Sequence, residues 1–261
     1  MSIEKSVEQE LALRIENPCW DYVQTVPADP LFASMSNGRF QPDQFAGLHA
    51  AVTRNEGAEY VDHRSWVTSQ WAWAIPDPQV IAFIVEWLAG RSVVELGAGS
   101  GYWAWLLAQS GIDVRAYDRA PIGHEKSWFT GPRAHRSGGH TSAEEGTEPA
   151  KEWHPVFQGD ESVLALPENT DRVLFLCWPT YSSTFAYDAL KAYQGDYVIY
   201  IGEGEGGCNG DDTFWMLVEG AEPWLAEDLP HIEQEWESEA FCPMIQWSGI
   251  HDNLTIYKRR S

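Results

Sequence analysis

Residues 93–118 read Val93-Val94-Glu95-Leu96-Gly97-Ala98-Gly99-Ser100-Gly101-Tyr102, then an apolar helical pattern, then Asp113-Val114-Arg115-Ala116-Tyr117-Asp118. A short β-branched run ends in a glycine-rich turn, a helical pattern follows, and a second strand closes on an acid. That order is a nucleotide-binding βαβ unit. It predicts a ligand outside the carboxyl end of the first strand, against the N-terminus of the helix.

The spacing of the glycines narrows the ligand. A dinucleotide fingerprint needs a third glycine for close packing of helix on strand, and Tyr102 stands in that place here. A P-loop needs a Gly-Lys-Ser/Thr ending, and none follows. The remaining pattern, an acid followed by spaced glycines (Glu95, Gly97, Gly99, Ser100, Gly101), resembles motif I of the class I S-adenosylmethionine (SAM)-dependent methyltransferases. The resemblance implies a seven-stranded, mostly parallel Rossmann-like α/β sheet with helices on both faces and an antiparallel C-terminal edge strand. It also implies SAM as cofactor, with Asp118 accepting from the ribose hydroxyls and Asp160, or Glu161 beside it, binding the adenine amino group. Asp160 read alone is a helix N-cap, and both uses can coexist.

Further along, residues 173–179 (Val-Leu-Phe-Leu-Cys-Trp-Pro) form the near-continuous apolar run of a strand buried on both faces. In the family this is the fourth strand, whose end holds the acceptor beside the transferable methyl. Nucleic-acid amino methyltransferases carry an acid or amide there, followed by Pro-Pro and an aromatic. This chain has Cys177-Trp178-Pro179-Thr180-Tyr181 instead. By this resemblance Cys177 lines the cofactor site, and Trp178 and Tyr181 shape the acceptor site. Strand 197–201 then leads into a glycine-dense acidic loop, where Glu203 leaves the strand toward the same edge. Glu203, or a histidine such as His63 or His251, is the candidate proton acceptor. No metal site is assigned: His124, His135 and His140 stand far apart in a flexible segment, and in the set Glu203, Glu205 and Asp211, which could in principle hold a hard metal, Asp211 reads as a helix cap.

The rest of the chain is read outward from this centre. Residues 76–261 make up the SAM-binding domain, residues 119–153 are a mobile polar insertion, and residues 1–75 form a helical N-terminal extension over the core or the cofactor. Within that extension, residues 8–15 carry an apolar stripe that Asn17-Pro18 ends. Residues 41–60, with Phe45, Leu48, Ala51 and Val52 at helical spacing, read as an amphipathic helix. Arg64 either pairs with the SAM carboxylate or is solvated. Asp77 caps a helix that runs to Leu88 and stops at Gly90.

Composition sets the outer bounds. The 261 residues include 39 acids against 17 Lys and Arg, a formal charge of -22, which disfavours a polyanionic nucleic-acid substrate. A small-molecule or peptide-like acceptor fits better. The four cysteines are scattered without metal spacing. There is no membrane-length apolar run and no signal-peptide core, so a cytoplasmic protein away from membranes is expected. Oligomeric state is left open. The fourteen tryptophans are packing residues first, yet some fall near the expected sulfonium, where an aromatic face gains about 0.5–2 kcal/mol from a cation. Three activities accommodate this pattern: methyl transfer, cyclisation or cleavage of SAM itself with release of methylthioadenosine, and non-catalytic SAM binding.

Overall fold

The computed structural model describes residues 15–28, 48–54, 60–129, 150–220 and 232–261. Its centre is strand β4 (Val93–Leu96), which pairs in parallel with β5 (Val114–Asp118) on one side and with β7 (Val173–Cys177) on the other. Outside β5 lies β6 (Val156–Gln158), and outside β7 lies β8 (Tyr197–Gly202), both parallel to their neighbours. The chain thus steps outward from β4 to β5 and β6, then crosses to the other side for β7 and β8. The reversal between β4 and β7 is the topological switch point where open α/β sheets take ligands.

Two long strands close the sheet. β9 (Trp236–Pro243) and β11 (Asn253–Arg259) form an antiparallel pair, and β11 inserts between β8 and β9, giving the order β6-β5-β4-β7-β8-β11-β9. This is the seven-stranded, mostly parallel sheet expected from the sequence. Its central strands β4, β7 and β8 are buried on both faces, and because side chains alternate along a strand each feeds two clusters. Val93, Phe175, Ile199 and Ile201 join one apolar cluster, with residues of α3 (Pro78–Leu88) and α4 (Tyr102–Gln109). Val94, Leu96, Leu174, Leu176 and Val198 join the other, with α5 (Phe185–Ala192) and α6 (Asp212–Val218).

The N-terminal region departs from its reading in one place and gains an element in another. Asn17-Pro18, read as the end of the stripe over 8–15, also opens a helix: α1 (Pro18–Val23) starts with proline in its first turn, where no backbone N–H is missed, and the Asn17 side chain accepts from Trp20 N. Cys19 and Val23 of that helix are fully buried in the main core. The amphipathic helix read over 41–60 is corrected. β1 (Leu48–His49) pairs with β10 (Gln246–Trp247), and β2 (Val52–Arg54) forms a hairpin with β3 (Tyr60–Asp62). The β-branched Val52, Thr53 and Val61 favour the pleated ladder over their apolar helical spacing. Residues 8–14 and 41–47 lie outside the described residues. A helix from the extension does follow, α2 (His63–Gln70), capped by the Asp62 carboxylate accepting from Ser65 N. No helix among the described residues is long and apolar enough to cross a membrane.

Tyr102 explains how the core holds this region. Its side chain is buried, and its hydroxyl donates to Asn17 Oδ1 and accepts from Cys19 N, each at 3.0 Å. The ring that displaces a dinucleotide glycine therefore anchors α1 on α4.

Candidate functional site

A cleft of about 660 Å³ opens where β4, β5 and β7 end, within the roughly 300–1,000 Å³ of small-molecule sites. Its first wall is backbone. Gly97, Gly99 and Gly101 all take positive φ (80°, 55° and 75°), which only glycine does without strain. The Asp118 carboxylate ties the turn to β5: Oδ2 accepts from Gly99 N at 2.9 Å and Oδ1 from Ala120 N at 2.8 Å. Gly97, Gly99, Ser100 and Asp118 all line the cleft, and Ser100 Oγ donates to Trp71 O. Gly101 does not line it. This residue is the N-cap of α4, and a Cβ there would sit 2.9 Å from the His154 carbonyl.

Glu95 lies at the bottom of the cleft. It is 3% exposed, its Oε2 has no hydrogen-bond partner, and burial pushes its pKa up to about 8, with the Ala104 N–H opposing and the Asp118 charge reinforcing. Cys177 lines the cleft nearby, its thiol pushed well above the usual range by burial.

The second wall is made of side chains from distant segments. Trp178, directly after β7, holds a left-handed φ of 52°, a strained value for a bulky residue and one that concentrates at functional sites. Its N–H donates to Ile201 O, and its indole Nε1 donates to Asp252 Oδ1 at 2.8 Å. Trp178 stacks on Trp73 with centroids 5.2 Å apart, and Trp128 meets Trp73 at 5.4 Å. The Arg64 guanidinium lies 5.4 Å and 5.1 Å from the Trp73 and Trp178 rings. Tyr181 lines the same wall and is exposed.

The other sequence candidates fall beside the cleft. Asp160 accepts from Ser162 N and caps the 3₁₀ turn Glu161–Ala165, while Glu161 pairs with Arg119 at 2.6 Å. Neither lines the cleft; Arg119 does. His63 has both ring nitrogens engaged, Nδ1 with the Tyr22 hydroxyl and Nε2 with Thr53 Oγ1, each at 2.8 Å, and it stands outside the lining. Glu203 is buried and also outside it. Its Oε2 accepts from Cys208 N and its Oε1 from His251 N, and these backbone donors outweigh burial and hold its pKa below the usual value. Glu203 thus organises the loops after β8 and before β11.

Sequence reasoning missed Asp252, Arg119, Lys126 and the pair Trp128-Phe129. The last is the apolar interruption in a polar insertion, and Phe129 packs within 2.7 Å of where a Gly99 Cβ would be. Residues 130–149 of that insertion, with His135 and His140, lie outside the described residues.

No family model matches the chain, and no curated protein matches its sequence. Among solved structures it is similar to magnesium protoporphyrin IX methyltransferase (ChlM) from Synechocystis PCC 6803 with bound SAM, at 14% identity and TM-score 0.37, over 70% of this chain and 79% of that one. It is similar to the CcbJ methyltransferase from Streptomyces caelestis, at 15% identity and TM-score 0.39, over 70% and 88%. A third is the ribosomal protein L11 methylase from Lactobacillus delbrueckii subsp. bulgaricus, at 16% identity and TM-score 0.36, over 70% and 78%. By its own strand order and glycine turn, the chain has the Rossmann-like fold of the class I methyltransferases.

Proposed function

We propose that this protein is a SAM-dependent methyltransferase acting on a small molecule. The observation that supports it best is the meeting, in one cleft at the switch point, of a three-glycine turn, the Asp118 carboxylate and a tryptophan wall. SAM fits the groups present. The turn leaves backbone exposed and is followed by no Gly-Lys-Ser/Thr, Asp118 offers carboxylate lone pairs at the end of β5, and Glu95 Oε2 is an orphaned buried acceptor at the bottom of the cleft.

When bound, SAM supplies a methyl group made electrophilic by its sulfonium. The chain's own part is positioning and exclusion of water. Gly97 to Ser100 and Asp118 would fix the adenosyl end, and Trp73, Trp128 and Trp178 would wall off solvent and face the positive charge. Glu203 and His63, both held by internal hydrogen bonds outside the cleft, leave catalysis resting on near-attack geometry more than on a dedicated base. A formal charge of -22 supports a small acceptor over a nucleic acid.

Calorimetric titration of S-adenosylhomocysteine tests the assignment. Asp118→Ala should weaken binding by about a hundredfold, since it removes the sugar acceptor and frees Gly99 N; such charge-assisted bonds contribute about 1.5–3 kcal/mol each. Unchanged affinity in that variant, or methylthioadenosine formed from SAM without any acceptor, would overturn methyl transfer as the reaction.

A further inference from the structure

Resting on that reading, we propose that the acceptor is an anion, a small carboxylate-bearing molecule whose oxyanion is held by Arg64. Arg64 leaves α2 and reaches the cleft on the β7–β8 side. Its charged neighbours there are Asp252, Asp62 and Glu203, with Cys208 beside them, and these do not include the turn after β4. In a sheet of this order the cofactor's sugar belongs at β4–β5, where Asp118 stands, so Arg64 faces the acceptor's half.

Among the described residues no group accepts a hydrogen bond from the Arg64 guanidinium, and its buried Nε has no partner. The nearby carboxylates do not meet it. Both oxygens of Glu203 take backbone N–H groups, Asp62 caps α2, and Asp252 Oδ1 takes the Trp178 indole while its buried Oδ2 has no partner. None of them lies within 4.0 Å as an ion pair. A guanidinium has five donors and loses substantial free energy when desolvated without acceptors; the Trp73 and Trp178 rings beneath it satisfy none of them. The planar fork matches a carboxylate in two-point contact.

The charge of the whole cleft agrees. In a chain with more than two acids per base, the lining holds Arg64, Lys126 and Arg119, the last paired with Glu161, against Asp118 and Glu95, and burial raises Glu95 to about 8. The net charge of the protein repels a negative molecule and this lining attracts it, which makes Arg64 a determinant of selectivity.

The test is calorimetry on the full chain with benzoate and indole-3-acetate as probes, each against its neutral amide, titrated into protein saturated with S-adenosylhomocysteine. At least one acid should bind about tenfold tighter than its amide, a margin that Arg64→Met abolishes and Arg64→Lys keeps in part. Affinity for S-adenosylhomocysteine should be unchanged in both variants. If Arg64→Met weakens S-adenosylhomocysteine about tenfold and leaves methylthioadenosine unchanged, Arg64 holds the methionine carboxylate and the proposal fails. It fails equally if acids bind no better than amides, or if neither acid binds at millimolar concentration. Absence of S-adenosylhomocysteine binding to the wild type would instead sink the methyltransferase reading, while the acid and amide titrations on the unsaturated protein still report on Arg64. The lysine variant guards against a methionine variant that does not fold.

Discussion

On the β4–β5 side of the cleft the chain contributes backbone, three left-handed glycines and one carboxylate within 22 residues of sequence, from Gly97 to Asp118. On the β7–β8 side it contributes side chains, Arg64, Trp73, Trp178 and, behind them, Asp252, drawn from segments that span most of the chain. The first wall tolerates almost no substitution because it is geometry. The second is a set of contacts in which each member is held by the next. A backbone wall suits a cofactor of fixed shape, and a side-chain wall can be rebuilt for a new acceptor while the first stays put.

The sharpest contrast comes from two glycines. Gly101 combines φ of 75° with a Cβ position 2.9 Å from the His154 carbonyl, whereas Gly90, at φ of 85°, has nothing within 4 Å. Left-handed backbone costs an L-residue about 1–2 kcal/mol, and overpacking costs about 1–3 kcal/mol more. Gly101→Ala should therefore lose about 3 kcal/mol in denaturant unfolding and Gly90→Ala about 1 kcal/mol. Equal losses would mean that the turn is shaped by φ alone.

On the other wall the expected effect is smaller. Trp178→Phe keeps a ring against Trp73 but removes the Nε1 donor to Asp252, whose Oδ2 is already without a partner. Leaving such a buried acceptor unsatisfied costs about 1–2 kcal/mol. Unfolding curves should show that loss, and Asp252→Leu in the same background should recover part of it, because the orphaned group is then gone.

What the sequence disclosed follows the same division. The glycine turn, Asp118 and the alternating strands were readable because their signals are local: β-branched runs, spaced glycines, an acid at a strand end. Asp252 was not, since nothing in His251-Asp252-Asn253 marks a buried carboxyl that meets Trp178 across 74 positions. His63 and Glu203 carry the residue types of a base, but their hydrogen bonds to Tyr22, Thr53, Cys208 and His251 are tertiary facts. The helix read over 41–60 failed for a related reason: the partner of Leu48–His49 is Gln246–Trp247, nearly 200 residues away, and no local period records it.

Each wall also conceals one carboxyl that resists ionising, and pH separates them. Burial raises Glu95 from 4.5 to about 8 and Asp252 from 3.8 to about 7, the latter moderated by the Trp178 hydrogen bond and by Arg64. A pKa raised on folding means that the native state holds the proton more tightly than the unfolded chain. The stability this contributes is complete below the unfolded value and is lost as pH rises through the folded one. Wild-type stability should thus fall from about pH 4 to about pH 8 by these two groups. Glu95→Gln and Asp252→Asn replace each with a neutral amide, so both variants should match the wild type most closely near pH 4 and gain on it as pH rises. The Asp252→Asn gain should level off near pH 7, while the Glu95→Gln gain continues to about pH 8. Urea unfolding across that range, read as the difference between variant and wild type, cancels the exposed carboxylates common to both. A Glu95→Gln difference that stays flat from pH 5 to pH 9 would show that this carboxyl ionises at its ordinary pKa, and that the glycine wall of the cleft is wetter than its burial implies.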